Sequence, residues 1–255
     1  LKKAHINVIE FNDSNNVYTP DSVFPNNWIS THSDGTIYLY PMFATNRRSE
    51  RRSDILRYLK NNFIVNSVNK NLLKYELQNK FLEGTGSLVL DRENRVAYAC
   101  ISNRTHQILL IEWCSNMKFK PCFFTAKDNG QNVYHTNVVM SVCQDMVFVC
   151  LDCIPNITER NVLVKMIKST NKQIIDISFS QMNSFVGNVL ELKNKYGDSF
   201  LVMSSTAFNT LSNSQKKIIN KKNSILHSPL HTIEYFGGGS ARCMIAEIFL
   251  NPLTE

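Results

Sequence analysis

The chain has 255 residues, 43% apolar and 19% charged, and carries a formal charge of +7 from 28 basic and 21 acidic side chains. That balance excludes a disordered chain, and no apolar run approaches the length of a membrane span. The basic residues are scattered apart from Arg47-Arg48…Arg51-Arg52 and Lys216-Lys217…Lys221-Lys222, which read as solvated faces rather than a nucleic-acid surface.

Seven cysteines is an odd number without metal-type spacing. Cys150 and Cys153 lie in an apolar run and read as core, as do Cys100, Cys114, Cys122 and Cys143. No metal site is expected, and the cysteine usage together with the lack of a secretory segment points to a reducing cytoplasm. The chain opens on Leu1-Lys2-Lys3 rather than methionine, so we expect a fragment or processed form that lacks its first element.

Residues 4–11 read as a strand, followed by a polar loop with Asn15-Asn16 and Pro20. Phe24-Pro25-Asn26-Asn27-Trp28 leads into a strand, the turn Ser33-Asp34-Gly35 and a second strand over Thr36 to Tyr40. Ile55, Leu56 and Leu59 give helical spacing within 47–62, and Phe63 to Val65 closes a unit. The order returns with strands 87–90 and 96–101 about Arg92-Glu93-Asn94, a helix over 105–117 and a strand over 120–125. It returns again as strands 138–142 and 146–151, helix 158–168 and strand 173–177. A fourth copy has strands 186–192 and 199–204, a helix over 207–221 and a strand over 224–227. Residues 232–235 and 244–250 read as final strands. The chain thus predicts one domain over 1–255, of α/β class, built from about four ββαβ repeats. Radial repetition would bring equivalent loops together around one axis.

Four stretches carry candidate chemistry. Gly237-Gly238-Gly239-Ser240-Ala241-Arg242-Cys243-Met244 puts a thiol on a glycine turn, where it would be exposed and aimed; a packed core cysteine is the competing reading. Phe81-Leu82-Glu83-Gly84-Thr85-Gly86-Ser87 holds a carboxylate before a glycine-rich turn, or is a surface turn. His135 leads into an apolar strand, where a satisfied core or edge histidine is the alternative. Arg47, at a helix start in Asn46-Arg47-Arg48-Ser49-Glu50-Arg51-Arg52, opposes the helix dipole unless it holds an anion; the alternative is a solvated face. Cys, His and Glu together supply a nucleophile, a proton shuttle and an orienting acid. Trp28, Trp113 and the phenylalanines read as core, and His32, close after Asn27, is a further candidate to touch the pocket.

Phe-Pro-Asn-Asn-Trp, Tyr-Pro-Met…Asn-Arg-Arg-Ser-Glu-Arg-Arg, Leu-Glu-Gly-Thr-Gly-Ser, His-Thr-Asn and Gly-Gly-Gly-Ser-Ala-Arg-Cys-Met follow one another from Thr19 to Asn251. In this order they resemble the guanidino-group modifying superfamily of arginine deiminases, dimethylarginine dimethylaminohydrolases and glycine amidinotransferases, and within it the citrulline-utilisation hydrolases. The resemblance implies a pseudo-fivefold α/β propeller with the site on its axis, here without its first strand and helix. It implies Cys243 as nucleophile, His135 as general acid/base and Glu83 as the carboxylate that binds the terminal nitrogen of a small amino-acid substrate. Arg47 and Arg104 match arginines that grip the substrate's α-carboxylate, a task suited to the guanidinium fork. Asn27 and Asn137 stand where deiminases place aspartates against a guanidinium, and Gly86 where they carry an acidic residue. Two lost charges and two gained amides predict a neutral ureido substrate, hence citrulline rather than arginine.

The implied mechanism is covalent. The Cys243 thiolate, favoured by Arg242, attacks the ureido carbon while the glycine turn offers N–H groups to the oxyanion. His135 protonates the leaving nitrogen and then activates water, without any cofactor. An arginine deiminase or other guanidino hydrolase uses the same three groups. A non-catalytic binding module of the kind found in a ribosome-associated factor is the reading from another class. A homo-oligomer is compatible with all three.

Overall fold

The structure is a computed structural model describing residues 1–13 and 17–253. The loop expected at Asn15-Asn16 lies outside the described residues.

Four three-stranded sheets share one topology: an antiparallel hairpin whose second strand pairs in parallel with a third strand, reached through a helical crossover. The first comprises β1 (Ile29–Thr31), β2 (Thr36–Leu39), helix α1 (Ser53–Asn62) and β3 (Ser67–Asn69). The second opens with a one-turn helix, α2 (Gly84–Ser87), followed by β4 (Val89–Asp91), β5 (Val96–Cys100), α3 (Gln107–Met117) and β6 (Lys120–Phe124). A small hairpin of β7 (Lys127–Asp128) and β8 (Gln131–Asn132) precedes the third unit. That unit has one-turn α4 (Thr136–Val139), β9 (Met140–Val142), β10 (Met146–Val149), α5 (Ile157–Lys168) and β11 (Gln173–Asp176). After α6 (Phe179–Asn183), the fourth has β12 (Leu190–Lys193), β13 (Ser199–Ser204), α7 (Ser205–Thr210), α8 (Asn213–Ile219) and β14 (Ser224–Ser228). The last helix is α9 (His231–Gly237).

Neighbouring units share their cores. Trp113 and Leu109 of α3 bury against Tyr38 and Tyr40 of the first unit, while Phe124, Phe148, Leu163 and Leu201 join the other three. Trp28, Ile37, Leu59 and Leu250 close a third cluster. Short turns lead into the hairpins, and α2 packs against both the 3₁₀ turn Pro25–Asn27 and α4.

Several expected elements differ. Residues 4–11 pair with no strand among the described residues; a 3₁₀ turn at Lys2–Ala4 opens the chain and only Ile6 of the stretch is buried. The helix over 207–221 is two helices, because Ser212 and Gln215 form a capping box that starts α8 afresh. Residues 232–235 lie in α9, where buried Glu234 accepts hydrogen bonds from Thr206 and Ser240 (both 2.7 Å). Residues 244–250 form no ladder; Phe249 is held instead by its N–H on Thr31 Oγ1 (2.8 Å) and by Arg92 stacked on its ring. The third strand of the first unit also starts later than expected, at Ser67, and residues 138–139 of the expected strand 138–142 lie in α4.

Candidate active site

Each hairpin is preceded by a tight turn, and these turns meet. The 3₁₀ turn Pro25–Asn27 precedes β1, α2 precedes β4, α4 precedes β9 and the loop 185–188 precedes β12. The turn carrying Cys243 follows the fourth unit. Thr136 Oγ1 pins two of them to the second sheet, donating to Ser87 O (2.6 Å) and accepting from Cys100 N–H (2.7 Å). Gly86 lies where a Cβ would sit 2.3 Å from Asn27 Nδ2 and 3.0 Å from His135 Nδ1, so only glycine lets these two side chains share that space.

One side of the site is ionic. His135 Nε2 contacts Glu83 Oε2 at 2.7 Å, and the Phe43 N–H donates to Glu83 Oε1 at 2.8 Å. Arg104 adds a third contact to Glu83 at 3.5 Å. Burial by itself would raise the Glu83 carboxyl, but the His135 hydrogen bond and charge, Arg104 and the Phe43 amide outweigh it and hold it below the usual carboxylate range. Burial pushes His135 below its ordinary value, against the pull of Glu83. The pair therefore rests as a carboxylate and an imidazole that can take up or give a proton. Arg104 sits at the rim between the rings of Phe43 and Tyr134, 5.7 and 5.0 Å from their centroids, with about a third of its side chain exposed. Tyr134 Oη donates to Gly238 O at 2.8 Å and so ties this rim to the glycine turn.

The other side is built mainly from amides. Cys243 is 5% exposed, so the thiol expected to stand free on its turn is instead enclosed. Asn137 Nδ2 and Asn188 Nδ2 donate to its Sγ at 3.2 and 3.1 Å. Arg242, beside it, donates to Thr85 O at 3.3 Å; burial lowers its pKa while Glu247 and Cys243 act in the opposite sense. The three glycines do different work from what the sequence suggested. Gly237 and Gly239 lie against the Phe24 ring, where Cβ atoms would approach to 2.7 and 2.8 Å, and Gly238 caps α9 at φ +65°.

Arg47 is buried and spent inside the protein. Its Nε and Nη2 donate to Glu50 (both 2.9 Å), Nη2 also to Phe24 O (3.1 Å), and Nη1 to Asn27 Oδ1 (2.9 Å). Its expected anion is therefore Glu50, and its contact with the site runs through Asn27. That bond fixes the Asn27 amide with Nδ2 towards Gly86, where it is buried without a partner. Asn137 Oδ1 and both polar atoms of the Asn26 side chain are likewise buried and unpaired among the described residues. Native proteins leave few such groups without a purpose. His32 instead lies with Ser30 Oγ (2.9 Å), Arg92 (3.2 Å) and Trp113; burial first, then Arg92, lowers its pKa to about 3.

The site thus unites Glu83, His135, Asn27, Asn137 and Cys243, with Arg104 at its edge. Sequence reading missed Asn188, Asn26, Glu50 and Tyr134. Asn188 had a signal: it precedes the fourth hairpin as Asn27 precedes the first.

The fold matches solved structures of cysteine-bearing arginine-modifying enzymes. ArgZ, an arginine dihydrolase from the ornithine-ammonia cycle in cyanobacteria, superposes with a TM-score of 0.70 at 16% identity over 95% of this chain. The chain covers only 34% of that protein. The N-terminal domain of ArgZ alone, a cysteine-to-serine mutant bound to substrate, gives 0.68 at 16% identity, over 91% of this chain and 78% of that one. A dimethylarginine dimethylaminohydrolase from Pseudomonas aeruginosa, also a cysteine-to-serine mutant and complexed with citrulline, gives 0.61 at 12% identity, over 92% and 77%. No curated protein matches the sequence. The sequence model of eukaryotic N,N dimethylarginine dimethylhydrolase matches residues 1–250, and the chain belongs to that family, within the guanidino-group modifying superfamily that its motifs resemble. The neighbours named here, an arginine dihydrolase and a dimethylarginine dimethylaminohydrolase, are hydrolases of guanidino C–N bonds.

Proposed function

We propose that the chain is a cysteine hydrolase of a ureido amino acid, converting citrulline and water to ornithine, ammonia and carbon dioxide. The observation that carries this reading is the Asn27 amide, which Arg47 holds with its N–H₂ end towards His135 and without a partner. A ureido oxygen accepts such a donor; a guanidinium has only donors to offer it. Asn137 Oδ1 then accepts from the ureido nitrogen.

The Cys243 thiol gives its proton to His135 as its sulfur adds to the ureido carbon, and the ureido oxygen takes the charge. The C–N bond to ornithine breaks as His135 passes a proton to the departing amine. Water, deprotonated by His135, displaces the sulfur, and the carbamate released falls apart to ammonia and carbon dioxide. Glu83 holds the imidazole and the substrate nitrogen in line. Arg104, free to exchange Glu83 for a substrate carboxylate, binds the amino-acid end.

A second reading keeps the same groups on arginine or N,N-dimethylarginine. It is favoured by the ionised Glu83 and by the substrates named for the family and for ArgZ. Turnover of citrulline, arginine, dimethylarginine and agmatine, followed as ammonia and amine release, separates the two. Citrulline as the best substrate upholds the first; arginine or dimethylarginine turnover with inert citrulline overturns it in favour of the second. Silence on all four leaves a binding module.

We also propose that the four units and the Cys243 turn are blades of a pseudo-fivefold propeller forming one domain over 1–255. A cytoplasmic site of action fits the seven free, buried cysteines. Among the described residues no helix is long and apolar enough to cross a membrane.

A further inference from the structure

The turn that carries Cys243 has little stiffness of its own. It leaves α9 through Gly237-Gly238-Gly239, and a run of glycines restricts its own backbone less than any other sequence does. Larger residues cannot stiffen it, because Cβ atoms at Gly237 and Gly239 would meet the Phe24 ring at 2.7 and 2.8 Å. The position of the turn is therefore set by what holds its far end. That end is Ser240, whose backbone O accepts from the N–H groups of Cys243 (3.0 Å) and Met244 (3.3 Å).

Ser240 is itself held by Glu234. The Ser240 Oγ donates to Glu234 Oε1 at 2.7 Å, and Thr206 Oγ1 donates to Oε2 at 2.7 Å. The Glu234 backbone O accepts from the Gly238 N–H at 3.2 Å, so one residue grips the glycine run both within it and beyond it. Thr206 lies in α7, directly after β13, which puts the anchor on the fourth sheet. Ser240 is fully buried and Glu234 is 8% exposed, so water competes little for these bonds. Both carboxyl oxygens are spent on two hydroxyls from different elements, a task that an amide, with one acceptor oxygen, performs only in part.

We infer that Glu234 is a positioning residue which ties the Cys243 turn to the fourth unit and so sets where the sulfur stands. It acts through Ser240 rather than on the reacting atoms. The inference rests on Cys243 as the nucleophile but on no choice of substrate. A displacement of about 1 Å at a reacting group costs about 10²-fold in rate, which is the scale at stake when this tether is cut.

The test takes two measurements on Glu234→Ala, Glu234→Gln and Ser240→Ala, both well below the melting temperature. The first is amide hydrogen exchange over residues 238–244 without substrate. Glu234→Ala should speed it by about 10-fold or more while the second and third sheets exchange as before. The second is steady-state turnover of the best substrate. Glu234→Ala should lower kcat by about 10²-fold with KM within about twofold, and Glu234→Gln should lower it less. A residue that only stabilises the fold would shift the melting curve and leave both readouts of the folded protein alone. Should Glu234→Ala fail to fold, Ser240→Ala, which keeps Glu234 and Thr206 together, gives the same two readouts. Unchanged exchange, or unchanged kcat where the wild type turns over, overturns the inference. A chain inactive on every substrate still reports through exchange, so failure of the tether and failure of the functional reading remain distinct.

Discussion

The two sides of the site are built from different groups. On one, Glu83 is held by a histidine, an arginine and a backbone amide, and its ionisation depends on their charge. On the other, the Cys243 sulfur meets two side-chain amides that do not titrate. The ionic side can exchange protons and partners during a reaction. The amides keep their dipoles at any pH. A charged pair is suited to moving protons, and a pair of fixed dipoles to holding a nucleophile ready.

The largest expected effect removes the acceptor on the amide side. Cys243→Ala should lower turnover by about 10⁴-fold or more while the melting temperature holds, measured as ammonia release and by calorimetry. Retained activity would assign the chemistry elsewhere. Next comes the scaffold behind Asn27. Glu50→Ala leaves the Arg47 guanidinium buried without its carboxylate and should cost about 3–5 kcal/mol in urea unfolding. A cost under about 1 kcal/mol would show that Arg47 finds another anion.

Acid should weaken the ionic regions and spare the amides. His32 and His135 have lowered values in the folded state, so unfolding takes up protons and stability falls as pH drops below about 6.5. Glu83, also lowered, adds its loss at more acid pH, as the folded carboxylate is finally protonated. Between pH 6.5 and 4.5 the His32 share is about 2 kcal/mol, and His32→Gln should remove it in pH-dependent denaturation. The slope that remains includes His135 and Glu83, with smaller shares from the more exposed His106 and Asp34. The smallest effect is at the rim: Arg104→Ala should raise KM about 10-fold with little change in kcat, about 1.4 kcal/mol of ground-state binding. A fall in kcat instead would make Arg104 part of the Glu83–His135 pair.

Local pattern in the chain determined the repeat. Alternation, turn residues and helical spacing gave four hairpin-helix-strand units, because each of these signals acts over a few neighbours. It also singled out Glu83 and Cys243, set beside glycines, and His135, set at the edge of an expected strand. The failures are those of context. Residues 4–11 and 244–250 are apolar enough for strands but form none, since a strand needs a partner edge that no local signal supplies. Arg47 reads as a substrate grip in the sequence but is satisfied by Glu50, and Asn188 fell within an expected strand that begins only at Leu190. Only the packing of five distant turns against one another decided which amide faces a ligand, which holds the sulfur, and which arginine is already satisfied. Those are questions of direction and distance, and sequence encodes them through the whole core rather than at the residues concerned.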